Sequence, residues 1–153
     1  MAWSASKIFS AAVRDAFNST FSPNIDADTV KANLFDNSIT PDQTVTSANS
    51  ANGAGVWASG SLSNGGWSSG GLALGSVTST FSSNVYTYDA ADTANGSAAT
   101  ISGAYGCLIY NDTLTTPVAD QGICYNYFGG TNSVTSGTLT IVWNASGIFA
   151  ITL

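Results

Sequence analysis

The chain has 153 residues, of which 44% are hydrophobic and 8% are charged, against about 25% charged residues in an ordinary soluble domain. This length suits one domain with its own core. The formal net charge is −6 and only three residues are basic, which is too few to neutralise a nucleic-acid backbone or to hold the chain on an anionic membrane. We therefore expect neither nucleic acid nor membrane as a partner.

The polar residues are mostly Ser, Thr, Asn and Gly, and every acidic residue is an aspartate. Threonine favours strands, whereas Asn, Gly and Ser favour turns. This composition, with about seven or eight short strand-like segments, predicts an all-β fold. We expect a short N-terminal helix or arm over residues 1–22, followed by a single β-sandwich or jelly-roll-like domain over residues 23–153.

One helix is predicted, over residues 4–21, and Ser22-Pro23 ends it. Its apolar face consists of residues at helical spacing: Ile8, Phe9, Ala12, Val13, Ala16 and Phe17. This face either packs on its own domain or docks on a neighbouring subunit as an arm. In the second case the interface residues would be Ile8, Phe9, Val13 and Phe17, and the β domain would fold without residues 1–21.

Residues 29–35 alternate between two faces and are predicted to form a strand. A long loop follows over residues 36–52, with a short irregular strand expected near Val45. Residues 53–71 are rich in Gly, Ser and Asn but also carry Trp57 and Trp67. Because an indole is costly to leave in water, these rings should either pin the loop to the body or meet a partner. Both are candidate interface residues.

The second half of the chain should supply most of the strands. They are predicted over residues 72–77, 85–89, 100–110 and 122–128, with residues 78–81 extending the first and Gly129-Gly130 ending the last. Residues 139–144 and 148–153 should pair as a terminal hairpin around a tight turn. Its apolar side chains place this hairpin in the core: Leu139, Ile141, Trp143, Ile148 and Phe149.

The sequence carries no histidine, which removes the usual general base and the commonest metal ligand. Two carboxylate pairs, Asp26 with Asp28 and Asp89 with Asp92, have the chemistry for glycoside hydrolysis or Ca²⁺ binding. Turn capping is the preferred interpretation, because neither pair has the spacing of a calcium loop. We therefore expect no enzymatic activity, no catalytic residues, no cofactor and no metal site.

The N-terminal segment indicates the compartment in which the chain folds, and that compartment indicates the state of its two cysteines. Arg14 and Asp15 interrupt the segment that an export signal would need to keep apolar, so we expect synthesis and folding in a cytoplasm. There Cys107 and Cys124 should be buried thiols, with a cross-strand disulfide as the alternative.

Several segments, in order along the chain, resemble a group of small structural proteins of tailed-phage virions. They are DADTVK (26–31), ITPD (39–42), GGLAL (70–74), YDAAD (88–92), YGCLIYND (105–112), FGG (128–130) and GTLTIVWNASGIF (137–149). The resemblance implies a virion component made in the host cytoplasm, with capsid decoration (cement) on the capsid exterior as the best role. It implies two partners, the major capsid protein and further copies of the chain as a trimer on a threefold axis, and it supplies no catalytic residues.

A second function from another class stays open, which is a tail-associated module that binds a receptor or carbohydrate. Exposed tryptophans in the Gly/Ser-rich loop could stack on sugar rings, so Trp57 and Trp67 are the residues that distinguish the two functions.

Overall fold

The structure, a computed structural model, describes residues 3–18 and 22–153. The predicted all-β fold with a short N-terminal helix is confirmed. In the first half of the chain the elements are β1 (Lys7–Ile8), α1 (Ser10–Phe17), β2 (Val30–Phe35), α2 (Ser47–Ser50), a 3₁₀ helix (Gly55–Ala58), β3 (Ser61–Leu62) and β4 (Leu72–Ala73). In the second half they are β5 (Thr78–Ser82), β6 (Val85–Asp89), β7 (Thr93–Ala94), β8 (Ala99–Asn111), β9 (Gly122–Gly137), β10 (Thr140–Ile141) and β11 (Phe149–Thr152).

The largest sheet of the described chain has six strands in the order β1-β9-β8-β2-β3, and β4 also pairs with β2. All of its pairings are antiparallel. Its centre is β8, which carries a nearly continuous buried run at residues 104–111. A run of this kind is typical of a strand that is covered on both faces.

Two smaller sheets complete the fold: a three-stranded sheet in the order β11-β6-β5 and a two-stranded sheet of β10 with β7. A two-residue turn, Ser83-Asn84, joins β5 to β6, with φ angles of 50° and 63°. Positive φ at both central residues matches the right-handed twist of the flanking strands. The turn therefore fixes the register of β5 on β6, with Phe81 opposite Tyr86.

The predicted terminal hairpin is wrong, although its turn forms. Gly147 has a φ of +93° and its N–H donates to Asn144 O at 2.7 Å. The flanking strands then separate, because β10 pairs with β7 and β11 pairs with β6. The turn was predicted correctly because it is local, but the partners of β10 and β11 are distant in sequence. Of the five apolar residues, Leu139, Ile141 and Ile148 are buried, while Trp143 and Phe149 are half-buried.

Strand β9 is longer than predicted, because Gly129-Gly130 does not end it. Gly129 adopts a φ of +80°, and the β8–β9 pairing shifts register at several points. A glycine with positive φ serves here as a bulge position inside a strand, not as a turn.

Three further assignments differ from the prediction. Residues 78–81 belong to the separate strand β5, since Ser76 with a φ of 51° breaks the chain direction after β4. The expected strand near Val45 is absent, and the short helix α2 follows instead, with Thr46 as its N-cap. Strand β7 lies between residues 89 and 100, where no strand was predicted.

The N-terminal segment is partly strand and partly helix. The helix α1 spans only Ser10–Phe17, and residues 19–21 of the prediction lie outside the described residues. Lys7 and Ile8 pair with β9, and Trp3 and Phe9 are core residues. A deletion of residues 1–21 would therefore remove core side chains, contrary to the expectation that the β domain folds without them.

Cys107 and Cys124 are buried free thiols. Their strands are neighbours, but Cys107 lies opposite Asn126 and Cys124 opposite Ile109, so the two are diagonal and not direct partners. Burial raises the pKa of both thiols. Within the described ranges, no helix is long and apolar enough to cross a membrane.

Candidate functional site

Trp57 and Trp67 lie in the core, each with 1% of its surface exposed. The Trp57 ring centroid is 5.0 Å from that of Phe35, 5.8 Å from that of Trp3 and 6.0 Å from that of Phe9. Most of these contacts are edge-to-face, which aromatic pairs prefer. The rings therefore pin the loop to the body, which is the first of the two alternatives from the sequence.

The glycines of the same loop explain how its tryptophans reach the core. A Cβ at Gly71 would lie 2.1 Å from Ala32 O, and a Cβ at Gly66 would lie 1.8 Å from Ser97 O. Both distances are far inside van der Waals contact, so only glycine lets the loop backbone approach this closely. The Gly-rich composition indicates close packing here, not flexibility.

The six predicted interface residues divide into two groups. Phe9, Trp57 and Trp67 are buried within their own chain and offer no surface to a partner. Ile8, Val13 and Phe17 instead line one shallow apolar groove of about 150 Å³. Phe17 has 84% of its surface exposed, which is unusual for a phenylalanine.

The groove runs between helix α1 and the three-stranded sheet. The helix contributes Ala12, Val13, Ala16 and Phe17; the sheet contributes Tyr86, Phe149 and Ile151; Ile8, Pro23, Ile25 and Ile123 complete the lining. None of these side chains carries a charge. We call this surface the helix–sheet groove. The sheet side could not be assigned from the sequence, because its strands are far from α1 along the chain.

Buried hydrogen bonds hold α1 beside the sheet. Asp15, on the buried side of the helix, accepts hydrogen bonds from Ser47 Oγ and from Gln121 Nε2, the latter at 3.1 Å. Arg14 Nε donates to Asp15 Oδ1 at 2.8 Å. Burial alone would raise the pKa of Asp15, but the hydrogen bonds from Ser47, Arg14 and Gln121 outweigh it, so the pKa lies below its usual value. The position of α1 thus depends on an ionised Asp15.

The inner face of the three-stranded sheet becomes more exposed toward one end. Tyr88 is fully buried, and its Oη donates to Ile25 O at 3.2 Å. Tyr86 and Ile151, opposite each other in the register, are half-buried. Phe81, opposite Tyr86 on the edge strand, has 61% of its surface exposed. An apolar strip therefore continues from the core to the sheet edge.

A second depression, of about 490 Å³, lies between β9 and β10. Tyr127 and Phe128 supply aromatic walls, and Asn132, Ser133 and Thr140 supply amide and hydroxyl groups. Asn132 Nδ2 donates to Gly130 O at 3.1 Å, which fixes the amide at the rim. No pattern in the sequence indicated this depression, because it depends on the unexpected length of β9.

Of the two acidic pairs, Asp28 and Asp89 accept hydrogen bonds from nearby backbone N–H groups, whereas Asp26 and Asp92 bond to distant segments. Asp28 Oδ2 accepts from Asn24 N–H at 3.0 Å and from Asn111 Nδ2 at 2.7 Å. Asp92 Oδ1 accepts from the Trp143 N–H at 3.0 Å. Among the residues that the structure describes, no three His, Cys, Asp or Glu side chains come together as a metal site would require.

Comparisons of the chain with protein-family models, with curated proteins and with solved structures found no match. Its function is therefore inferred from the surfaces described above, from its charge, and from the resemblance carried by its sequence segments.

Proposed function

We propose that the protein is a non-enzymatic structural component of a tailed-phage virion, which decorates and stabilises the outer face of the capsid. The observation that carries this proposal is the helix–sheet groove, an uncharged apolar surface beside the strongly exposed Phe17. Exposed apolar patches of this kind commonly mark sites of contact with other proteins. The sequence resemblance supports the same class of function.

Charge favours the outside of the shell. The net charge of −6 would be repelled by packaged DNA on the inside. The scarcity of charged side chains also matters, since only 8% of residues are charged. Long charged side chains lose rotamer freedom when surfaces meet, so a surface with few of them loses less entropy on docking.

The proposed partners are the major capsid protein and further copies of this chain, arranged as a trimer on a threefold axis. A subunit that binds only the assembled lattice stabilises that lattice by mass action. Individual contacts can be weak, because linked subunits on one shell bind with a high effective concentration.

A tail-associated module that binds a receptor or carbohydrate is the second candidate. Trp57 and Trp67 cannot stack on a sugar from inside the core. The observation that favours this candidate is instead the depression between β9 and β10, where Tyr127 and Phe128 lie beside Asn132. Aromatic walls with a few convergent polar groups are common in ligand sites.

The experiment measures how much subunit stays on purified particles after heating or a high-salt wash. Phe17→Ser removes an exposed apolar group from the groove, whereas the matched control Val142→Ser removes one that is 73% exposed at the β9–β10 depression. We expect Phe17→Ser to be retained less than wild type and Val142→Ser to be retained equally. Equal retention of both variants would place the contact elsewhere, and loss with Val142→Ser alone would place it at the β9–β10 depression instead of the groove.

A further inference from the structure

Strand β5 is a free edge of the three-stranded sheet. Among the described residues it pairs with β6 alone, and β6 pairs on its other side with β11. Four of its five residues are exposed. An open edge of this kind is a template on which another strand can pair.

The backbone pattern identifies which groups of β5 face outward. Asn84 O and Tyr88 O accept hydrogen bonds from the β11 side, so residues 84, 86 and 88 of this segment face β11. The alternate residues, Val85, Thr87 and Asp89, then bond to their β5 partners Ser82, Thr80 and Thr78. It follows that Ser79 and Phe81 direct their N–H and C=O groups away from the sheet.

The edge lacks the usual protection against strand pairing. Natural proteins block edges with charged residues, proline or bulges. Strand β5 reads Thr-Ser-Thr-Phe-Ser, with no charge and no proline, and its register on β6 is regular over all five pairs. The Asp26 carboxylate touches this strand through a side chain, since its Oδ2 accepts a hydrogen bond from Ser79 Oγ at 2.5 Å. Near the end of the strand, Phe81 is exposed.

We propose that β5 pairs antiparallel with β5 of a second copy of this chain, across a twofold axis at Thr80. This register pairs Ser79 of each copy with Phe81 of the other, so the outward N–H and C=O groups of all four residues are hydrogen-bonded. The two Phe81 rings become diagonal neighbours on one face, within reach of each other. The residues of β5 carry no charge, so the two strands bring no like charges of their own together across the axis. The Asp26 carboxylate of each copy lies beside Ser79, on the face that carries Phe81 of the other copy.

The twofold contact is separate from the proposed threefold clustering. An edge contact of this kind would join one subunit to a subunit of a neighbouring cluster, and so would extend the lattice of decoration. It does not depend on the virion proposal, because it is a property of the purified chain and is tested without particles.

The test is a disulfide at the axis. Thr80 would form a non-hydrogen-bonded pair with its copy, with the two Cα atoms about 4.5 Å apart, which lies within the range of about 4.4–6.8 Å that a disulfide needs. Ser82→Cys is the matched control on the same face of the same strand, because its two copies would lie four residues apart, about 13 Å along the strand. Cys107 and Cys124 are buried, so the introduced thiol is the accessible one.

After mild oxidation, a denaturing gel without reductant should show several-fold more covalent dimer for Thr80→Cys than for Ser82→Cys. Adding Phe81→Asp to Thr80→Cys places a carboxylate opposite Ser79 of the other copy, which already holds the Asp26 carboxylate, and should abolish the excess. Adding Thr152→Asp, an exposed position on the opposite edge strand β11, should leave it unchanged. Equal dimer from the two cysteine variants, or an excess that survives Phe81→Asp, would overturn the proposal.

Discussion

The surroundings of Trp57 and of Phe17 show two opposite uses of aromatic residues in one small domain. The Trp57 ring is surrounded by four other aromatic rings, with centroid distances from Trp57 of 5.0 to 6.0 Å. They belong to Trp3, Phe9, Phe35 and Tyr125. Phe17 lies at the end of α1 with 84% of its surface exposed. The sequence placed Trp57 in a loop and Phe17 on the apolar face of a helix, so local context suggested the reverse arrangement.

The burial of a side chain thus depends on which segments pack closely together, not on the polarity of its own segment. The loop of residues 53–71 looks flexible in sequence, yet its glycines let it lie against the sheet. The helix α1 has one buried side, where Asp15 is bonded, and one open side, where Phe17 lies. We therefore expect substitutions near Trp57 to lower the free energy of unfolding strongly and substitutions near Phe17 to change it little.

The largest effect is expected from Trp57→Ala. The ring is fully enclosed, and truncation of a buried tryptophan should lower the free energy of unfolding by about 3–5 kcal/mol. Thermal unfolding followed by circular dichroism measures the change. Trp143→Ala, at a half-buried residue whose Nε1 donates to Thr93 Oγ1 at 3.1 Å, should cost less. A Trp57→Ala midpoint equal to that of wild type would refute the enclosed core.

Gly71→Ala should come next. The added Cβ would meet Ala32 O at 2.1 Å, and the residue has a φ of +91°, so the loop must shift or strain at a cost of about 1–3 kcal/mol. Gly75→Ala is the matched control, because a Cβ there meets nothing within 4 Å. Urea denaturation of both variants gives the two free energies of unfolding, and equal values would show that the loop does not need its close approach.

Asp15→Asn should destabilise the protein by about 1–3 kcal/mol at neutral pH, because buried hydrogen bonds lose their charged acceptor. The folded-state pKa of Asp15 lies below its usual value, so its contribution is complete above about pH 5 and is lost as the pH falls through the lowered pKa. The difference between wild type and variant should therefore shrink in acid. A difference that stays constant from neutral pH to pH 2 would contradict this role.

Phe17→Ser should have the smallest effect on stability, within about 0.5 kcal/mol, since exposed positions away from packed features tolerate substitution. The same variant is expected to weaken retention on particles. Unchanged stability together with weaker retention would identify Phe17 as part of a contact surface. A large loss of stability would show instead that Phe17 is a core residue.

Much of the fold could be predicted from periodicity. The alternation of residues 29–35 predicted β2, the strand-like segment of residues 85–89 predicted β6, and the composition predicted the all-β class. The pairing of the C-terminal strands could not be predicted, because β10 and β11 find partners more than 45 residues away along the chain. Turn chemistry at Gly147 is local and was predicted, whereas strand choice is a property of the whole sheet.

Only one wall of the helix–sheet groove could be predicted from the sequence. The helical spacing of Ile8, Val13 and Phe17 identified one wall of the groove. The opposite wall, with Tyr86 and Ile151, depends on how the three-stranded sheet sits beside α1, and no local pattern contains that information. Trp57 and Trp67 were candidates for the surface because single-sequence reasoning cannot see the close approach that Gly66 and Gly71 allow.

The most direct test of the account is a density map of the whole particle in which this subunit is located. The account predicts subunits over the outer face of the shell, with the helix–sheet groove turned toward the capsid or a neighbouring subunit and Trp57 enclosed in its own domain. A subunit found at the tail tip, or one on the shell whose groove faces solvent, would contradict it.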